Sequence, residues 1–202
     1  MKKTIVISAV NIRKGGTLTI LRDCLSYLST IADQYRIVAV VHKRELCDYP
    51  GIEYIEMPDT IKGWGKRLKA EYLTFNKISK QLAPVYLWFS LHDTTPCVQA
   101  EHQAVYCQTS FPFMRAKLQD LRFDPKIVLF TLFTRFAYRL NVHRNDYLVV
   151  QTQWLREGLS KMLNVDKNRF IVAPPKVNVP AYDHGTMVQP PVFIYPATPD
   201  CH

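Results

Sequence analysis

The chain has 202 residues, 48% of them hydrophobic and 21% charged, enough to bury a core as one domain and too apolar for a disordered tail. Its net charge of +9 and pI near 9.3 point to an anionic partner (a phosphorylated substrate, a membrane surface or nucleic acid), with a plain basic face as the alternative. Cys24, Cys47, Cys97, Cys107 and Cys201 form no CxxC pair and have no zinc-type spacing with histidine, so reduced thiols and no metal site are expected.

In chain order, Thr4 to Val10 is a β-branched run that predicts a strand covered on both faces. The run is short and has no small-residue cleavage site after it, so a strand is preferred to a signal peptide. Leu18, Leu21, Leu25 and Leu28 then recur at helical spacing, through about Ile31. Arg36 to Val41 and Ile52 to Met57 predict two more strands. Gly63 to Gln81 predicts a helix with Leu68, Tyr72, Phe75 and Ile78 on one face and lysines on the other, stopped before Pro84. Val85 to Leu91 and Ala104 to Gln108 are the next strands. Pro112 to Leu121 and Lys126 to Leu140 predict helices rich in Phe, Arg and Lys. Tyr147 to Gln151 predicts a strand, Gln153 to Leu163 a helix and Phe170 to Ala173 a short strand. This β-α alternation predicts an α/β, Rossmann-like doubly wound parallel sheet. The apolar stretch Ile127 to Phe133 is too short to span a bilayer.

Pro174-Pro175, Pro180 and Pro190-Pro191 give the following segment the composition of a linker, after which Val192 to Tyr195 predicts one more strand. The expected organisation is a domain over 1–173, a linker over 174–191 and the start of a second domain over 192–202.

In doubly wound sheets ligands bind outside the carboxyl ends of the strands, and three loops fall there. Asn11-Ile12-Arg13-Lys14-Gly15-Gly16-Thr17 links the first strand to the first helix. Its glycines admit close backbone approach, and the helix start offers N–H groups to an anion; a simple tight turn is the alternative. The loop is neither GxGxxG nor a Walker A motif, which weakens dinucleotide and NTPase readings. After the fourth strand, His92-Asp93 can supply an acid-base or orienting pair, or Asp93 can cap a following helix. After the fifth, Gln108-Thr109-Ser110 supplies an amide and two hydroxyls suited to sugar hydroxyls, or forms an ordinary polar loop. No GxSxG or HExxH motif occurs, and no nucleic-acid motif, so nucleic acid is not an expected partner.

Taken in order, these segments resemble the N-terminal half of a GT-B fold glycosyltransferase of family 4, the group 1 enzymes of bacterial polysaccharide synthesis. The resemblance is carried most specifically by Asp146-Tyr147-Leu148-Val149-Val150-Gln151-Thr152-Gln153-Trp154-Leu155-Arg156 followed by Phe170-Ile171-Val172-Ala173-Pro174-Pro175, and by Ser90 to Pro96 and Val105 to Phe113. Phe193 to Ala197 resembles the first strand of the family's second domain.

The resemblance implies retaining transfer of a sugar from a UDP- or GDP-sugar to a saccharide or polyprenyl-linked acceptor, without a metal or other cofactor. The acceptor side would be this half, and this half alone is expected to be inactive. Gly15 and Gly16 would lie near the donor phosphates and His92 and Asp93 on the cleft wall, with Thr17, Gln108, Thr109 and Ser110 as further substrate-binding candidates. The implied setting is cytoplasmic, peripheral at the inner face of the plasma membrane, with an anionic membrane surface as a further partner. Where the family commonly has His, in a "YCHN"-like loop, this chain has Gln108, which cannot act as a base. No catalytic residue is assigned. The alternative reading is a non-enzymatic basic α/β module that binds an anionic membrane or partner through its Lys/Arg-rich helices.

Overall fold

The computed structural model describes residues 2–114, 117, 119–123 and 125–175. Seven parallel strands form one sheet: β1 (Lys3–Ala9), β2 (Tyr35–Val41), β3 (Ile52–Glu56), β4 (Val85–Ser90), β5 (His102–Cys107), β6 (Tyr147–Val150) and β7 (Phe170–Val172). Their spatial order is β3-β2-β1-β4-β5-β6-β7. The order reverses between β1 and β4, and the loops leaving those strands diverge there to open a crevice.

β1 is a core strand because both of its faces are apolar. Ile5, Ile7 and Ala9 meet Leu18, Leu21, Leu25 and Leu28 of helix α1 (Gly15–Ser29). Val6 and Val10 face the other way, toward Phe75, Ile78, Val85 and Trp88. Ser8, fully buried inside the strand, accepts a hydrogen bond from Trp88 Nε1 at 3.1 Å. Ser90 pairs in register with Val105, which puts the cluster of Val105, Leu148 and Val150 on the Trp88 face. Helix α6 (Gln153–Leu163) closes that cluster with Leu155, Leu159 and Leu163. Helices thus cover both faces, and the fold is an α/β, Rossmann-like doubly wound sheet.

Three local expectations change. The helix expected over Gly63 to Gln81 is α2 (Trp64–Lys69) and α3 (Phe75–Gln81) joined by a π-helical turn, Ala70–Thr74. The wider turn rephases the helix and carries Glu71 into the core, where it is 1% exposed. The stretch Pro112 to Leu121 is not one helix. It begins as a 3-10 turn, Phe111–Phe113, and α4 (Asp120–Phe123) follows only after Met114. Helix α5 (Pro125–Arg139) is as expected. No helix follows β4 directly: residues 91–101 run as an irregular loop to β5. Asp93 is therefore not a helix cap.

No helix among the described residues is long and apolar enough to cross a membrane. The expected linker beyond Pro175 and the second-domain strand, with Cys201, lie outside the described residues.

Candidate functional site

A cleft of about 650 Å³ opens at the β1/β4 crevice. Gly16 and Thr17 from the first loop, His92 and Asp93 from the second, and Gln108, Thr109 and Ser110 from the third all border it. Asn11 at the end of β1, Asp23 on α1 and Gln151 after β6 join them. Parallel strands deliver their carboxyl ends to one edge, which is why loops far apart in the chain converge. Gly15 does not border the cleft, but its φ of +68° sets the turn that starts α1.

The wall built by β1 is open. A Cβ placed on Gly15 or Gly16 would meet nothing within 4 Å among the described residues. Lys14 occupies the capping position of α1 with no side-chain cap, and Thr17 Oγ1 donates back to Lys14 O at 3.0 Å. Among the described residues α1 thus starts without a side-chain cap at its N-cap position, an arrangement that can receive an anion. Helix α6 differs: Thr152 Oγ1 accepts from Leu155 N at 3.2 Å. Asn11 Oδ1 is buried and has no hydrogen-bond partner among the described residues.

The wall built by β4 is closed. The His92 side chain is fully buried, its ring centroid 6.0 Å from that of Phe75. Its Nδ1 lies 3.3 Å from Ser90 Oγ, 3.3 Å from Thr94 Oγ1 and 3.4 Å from Glu71 Oε1. Ser90 Oγ already donates to Thr94 O, and Thr94 Oγ1 donates to Glu71 Oε2 at 2.6 Å. With both hydroxyl protons used, Nδ1 must carry the imidazole proton and Nε2 is the bare acceptor. Burial lowers the imidazole to about 4, so it is neutral at pH 7. Burial also pulls the Glu71 carboxyl upward, yet Glu71 sits below its ordinary value. With His92 neutral, the cation that holds it there is Arg67, whose Nε donates to Glu71 Oε1 at 2.8 Å. The same guanidinium donates to His92 O at 3.0 Å and ties α2 to the loop.

Asp93 faces the neighbouring loop. Its Oδ1 accepts from Gln108 N at 2.7 Å and Thr109 N at 3.4 Å, and the Tyr138 hydroxyl adjoins it. Burial raises its carboxyl, and the Gln108 and Thr109 N–H groups oppose the rise. Its backbone takes φ +66°, a left-handed geometry that Asp tolerates because its short polar side chain bonds locally. Gln108 Nε2 donates to Leu91 O at 3.3 Å, so the amide braces the same joint.

The groups that border the cleft are thus mostly amides, hydroxyls and backbone. The two most reactive-looking residues, His92 and Asp93, spend their side chains on holding the loops together. Sequence reasoning did not single out Gln151, Asp23 or Glu71. The position of Gln151 at a strand end was the available signal for it. Glu71 lay in a lysine-rich helix, and only its i,i+4 spacing from Arg67 hinted at a pair.

The four described cysteines are free thiols. Burial pushes Cys24 up to about 12 and Cys47 to about 11, and raises Cys107 well above its ordinary value, so none of these three is a ready nucleophile. Among the described residues no group of three or more His, Cys, Asp or Glu could hold a metal ion.

No family model matches the chain, and no curated protein matches it.

Proposed function

We propose that this chain is the acceptor-side half of a retaining, family 4-like glycosyltransferase. It would transfer a sugar from a UDP- or GDP-sugar to a saccharide or polyprenyl-linked acceptor, without a metal, at the cytoplasmic face of the membrane. The observation that carries the reading is the β1 wall: a helix start with no side-chain cap, with Gly16 on the cleft, beside amides and hydroxyls at the point where strand order reverses. Such a wall suits a sugar diphosphate better than a nicotinamide cofactor, whose glycine fingerprint this loop lacks.

On this reading the backbone at Gly15 and Gly16 approaches the donor phosphates. Thr17, Gln108, Thr109 and Ser110 hydrogen-bond sugar hydroxyls. His92 and Asp93 position the loops and do not exchange protons with substrate. The general chemistry of transfer would then come from the nucleotide-binding half.

The test is transfer by the full-length gene product from a panel of UDP- and GDP-sugars to polyprenyl-linked saccharide acceptors, read by mass spectrometry. Gly16→Trp should lower transfer at least about tenfold while the thermal midpoint is unchanged, since Gly16 lines the cleft and a Cβ there meets nothing within 4 Å among the described residues. Absence of transfer and of any nucleotide-sugar binding would overturn the reading, as would wild-type kinetics in Gly16→Trp.

A further inference from the structure

The edge of the sheet opposite the cleft carries a second cavity. It measures about 550 Å³, within the range of small-molecule sites, and opens at the amino ends of the strands among Lys2, Lys3, Tyr35, Pro84, Tyr86 and Glu101. The length of β1 separates it from the cleft: 7 residues at roughly 3.3 Å each span about 20 Å. Doubly wound sheets take their usual ligands at the carboxyl ends of the strands, so this cavity is no part of the cleft.

An irregularity in the sheet puts Tyr86 on its rim. Thr4 pairs with Val85 and Ile5 with Leu87, so Tyr86 is an extra residue in β4, a bulge of a kind rare between parallel strands. Bulges re-aim a side chain and recur beside functional sites. The Tyr86 ring is then held from two sides. Lys3 Nζ lies 3.9 Å from its centroid, and His102 meets it edge-on with centroids 5.2 Å apart. Lys2 Nζ donates one of its N–H groups to Ala32 O at 2.8 Å, which brings a second ammonium to the same rim. Below them the floor is tight: a Cβ on Gly51 would stand 2.7 Å from that of Ala32.

The chemistry of the rim selects the ligand. Arg36 and Glu53 close on each other through hydrogen bonds of 2.8 and 2.7 Å. Lys2 and Lys3 are then set against one carboxylate, Glu101, which itself stands 3.7 Å from His102 Nε2. Two ammonium groups against one carboxylate favour a ligand with a single negative charge. A cation would be repelled, and a phosphate dianion would meet Glu53 and Glu101. Tyr35, Tyr86 and Pro84 supply flat apolar surface for a ring. We propose that this amino-edge cavity is a second ligand site that takes a small aromatic monocarboxylate, its carboxylate on Lys2 and Lys3 and its ring among Tyr35, Pro84 and Tyr86. The inference does not require glycosyl transfer.

The experiment follows the backbone amides of the isotope-labelled chain by NMR as phenylacetate is added. Shifts should centre on Lys3, Arg36, Gly51 and Tyr86 and leave Gly16 and Ser110 in place. The double variant Lys2→Gln, Lys3→Gln should weaken phenylacetate binding at least about tenfold with an unchanged circular dichroism spectrum, because both residues are exposed. Tyr86→Leu keeps apolar bulk without the flat ring and should weaken it at least about threefold. Phenethylamine, the same ring with the opposite charge, should leave these amides unmoved, and phenyl phosphate should bind more weakly than phenylacetate. Three results would overturn the proposal: no shift at the amino edge up to the solubility limit of phenylacetate, undiminished binding by the double lysine variant, or a preference for phenethylamine or phenyl phosphate.

Discussion

The two walls of the cleft are made by opposite means. On the β4 side, Arg67, Glu71, Ser90, His92 and Thr94 form a buried hydrogen-bonded set, and Asp93 fastens the loop to the backbone of Gln108 and Thr109. On the β1 side, among the described residues, the start of α1 has no side-chain cap and a Cβ on Gly15 or Gly16 would meet only open space. The difference teaches where a ligand could act. A wall whose side chains satisfy one another supplies rigidity, and a wall with an uncapped helix start and open space can supply binding.

The strongest way to break this contrast is at Asp93. Asp93→Ala removes the acceptor for two backbone N–H groups and leaves a left-handed φ without a local bond, so it should cost roughly 2–4 kcal/mol in urea unfolding. Asp93→Asn keeps an acceptor oxygen and tolerates φ +66°, and should cost less than about 1 kcal/mol. Equal effects of the two variants would show that the carboxylate charge, and not the acceptor oxygen, holds the joint.

A smaller effect should come from pH. Burial lowers His92 from 6.5 to about 4, so the unfolded chain binds the proton first. The contribution of neutral His92 is complete above about pH 6.5 and is lost as pH falls toward about 4, at most about 3 kcal/mol. Asp93, raised by burial, has the opposite slope, because its folded form takes up a proton first as pH falls. His92→Asn keeps a donor in place of Nδ1–H and cannot titrate, so its stability should fall less than that of the wild type over this window. Parallel urea-stability curves for the two proteins would remove His92 from the closed wall.

The smallest effects should be on the open wall. Gly15→Ala should destabilise by about 1 kcal/mol because its φ is +68°, although the space is free. Gly16→Ala should stabilise by about 0.5 kcal/mol, as it lies in the first turn of α1 with a permitted φ. Thermal melts of both variants check the pair. A loss at Gly16 as large as at Gly15 would mean that this wall is packed more tightly than its geometry implies.

Most of the fold was legible because its signals are local. Continuous runs such as Ile37 to Val41 and the i, i+3, i+4 leucines of α1 state their own burial, and β-α alternation then fixes a parallel sheet. The loops that border the cleft were legible for the same reason, since each follows a readable strand. The stretch after Ser110 was not, because Phe111, Pro112 and Phe113 have the apolar look of a helix start while Pro112 holds them in a single tight turn. Helix α5 hid its exposed side, at Leu129, Leu132 and Phe136, by the reverse problem. Its residues are apolar on nearly every side, so the pattern cannot say which side meets the core.

By itself, then, the sequence determined the strands, their helices and the edge of the sheet where loops meet, since hydrophobic period and turn residues act within a few positions. Only the tertiary structure decided what those loops do. The direction of His92 depends on Glu71 and Phe75, and that of Asp93 on Gln108, Thr109 and Tyr138, partners about 15 to 45 residues away. The uncovered side of α5 likewise appears only once the sheet has claimed the other.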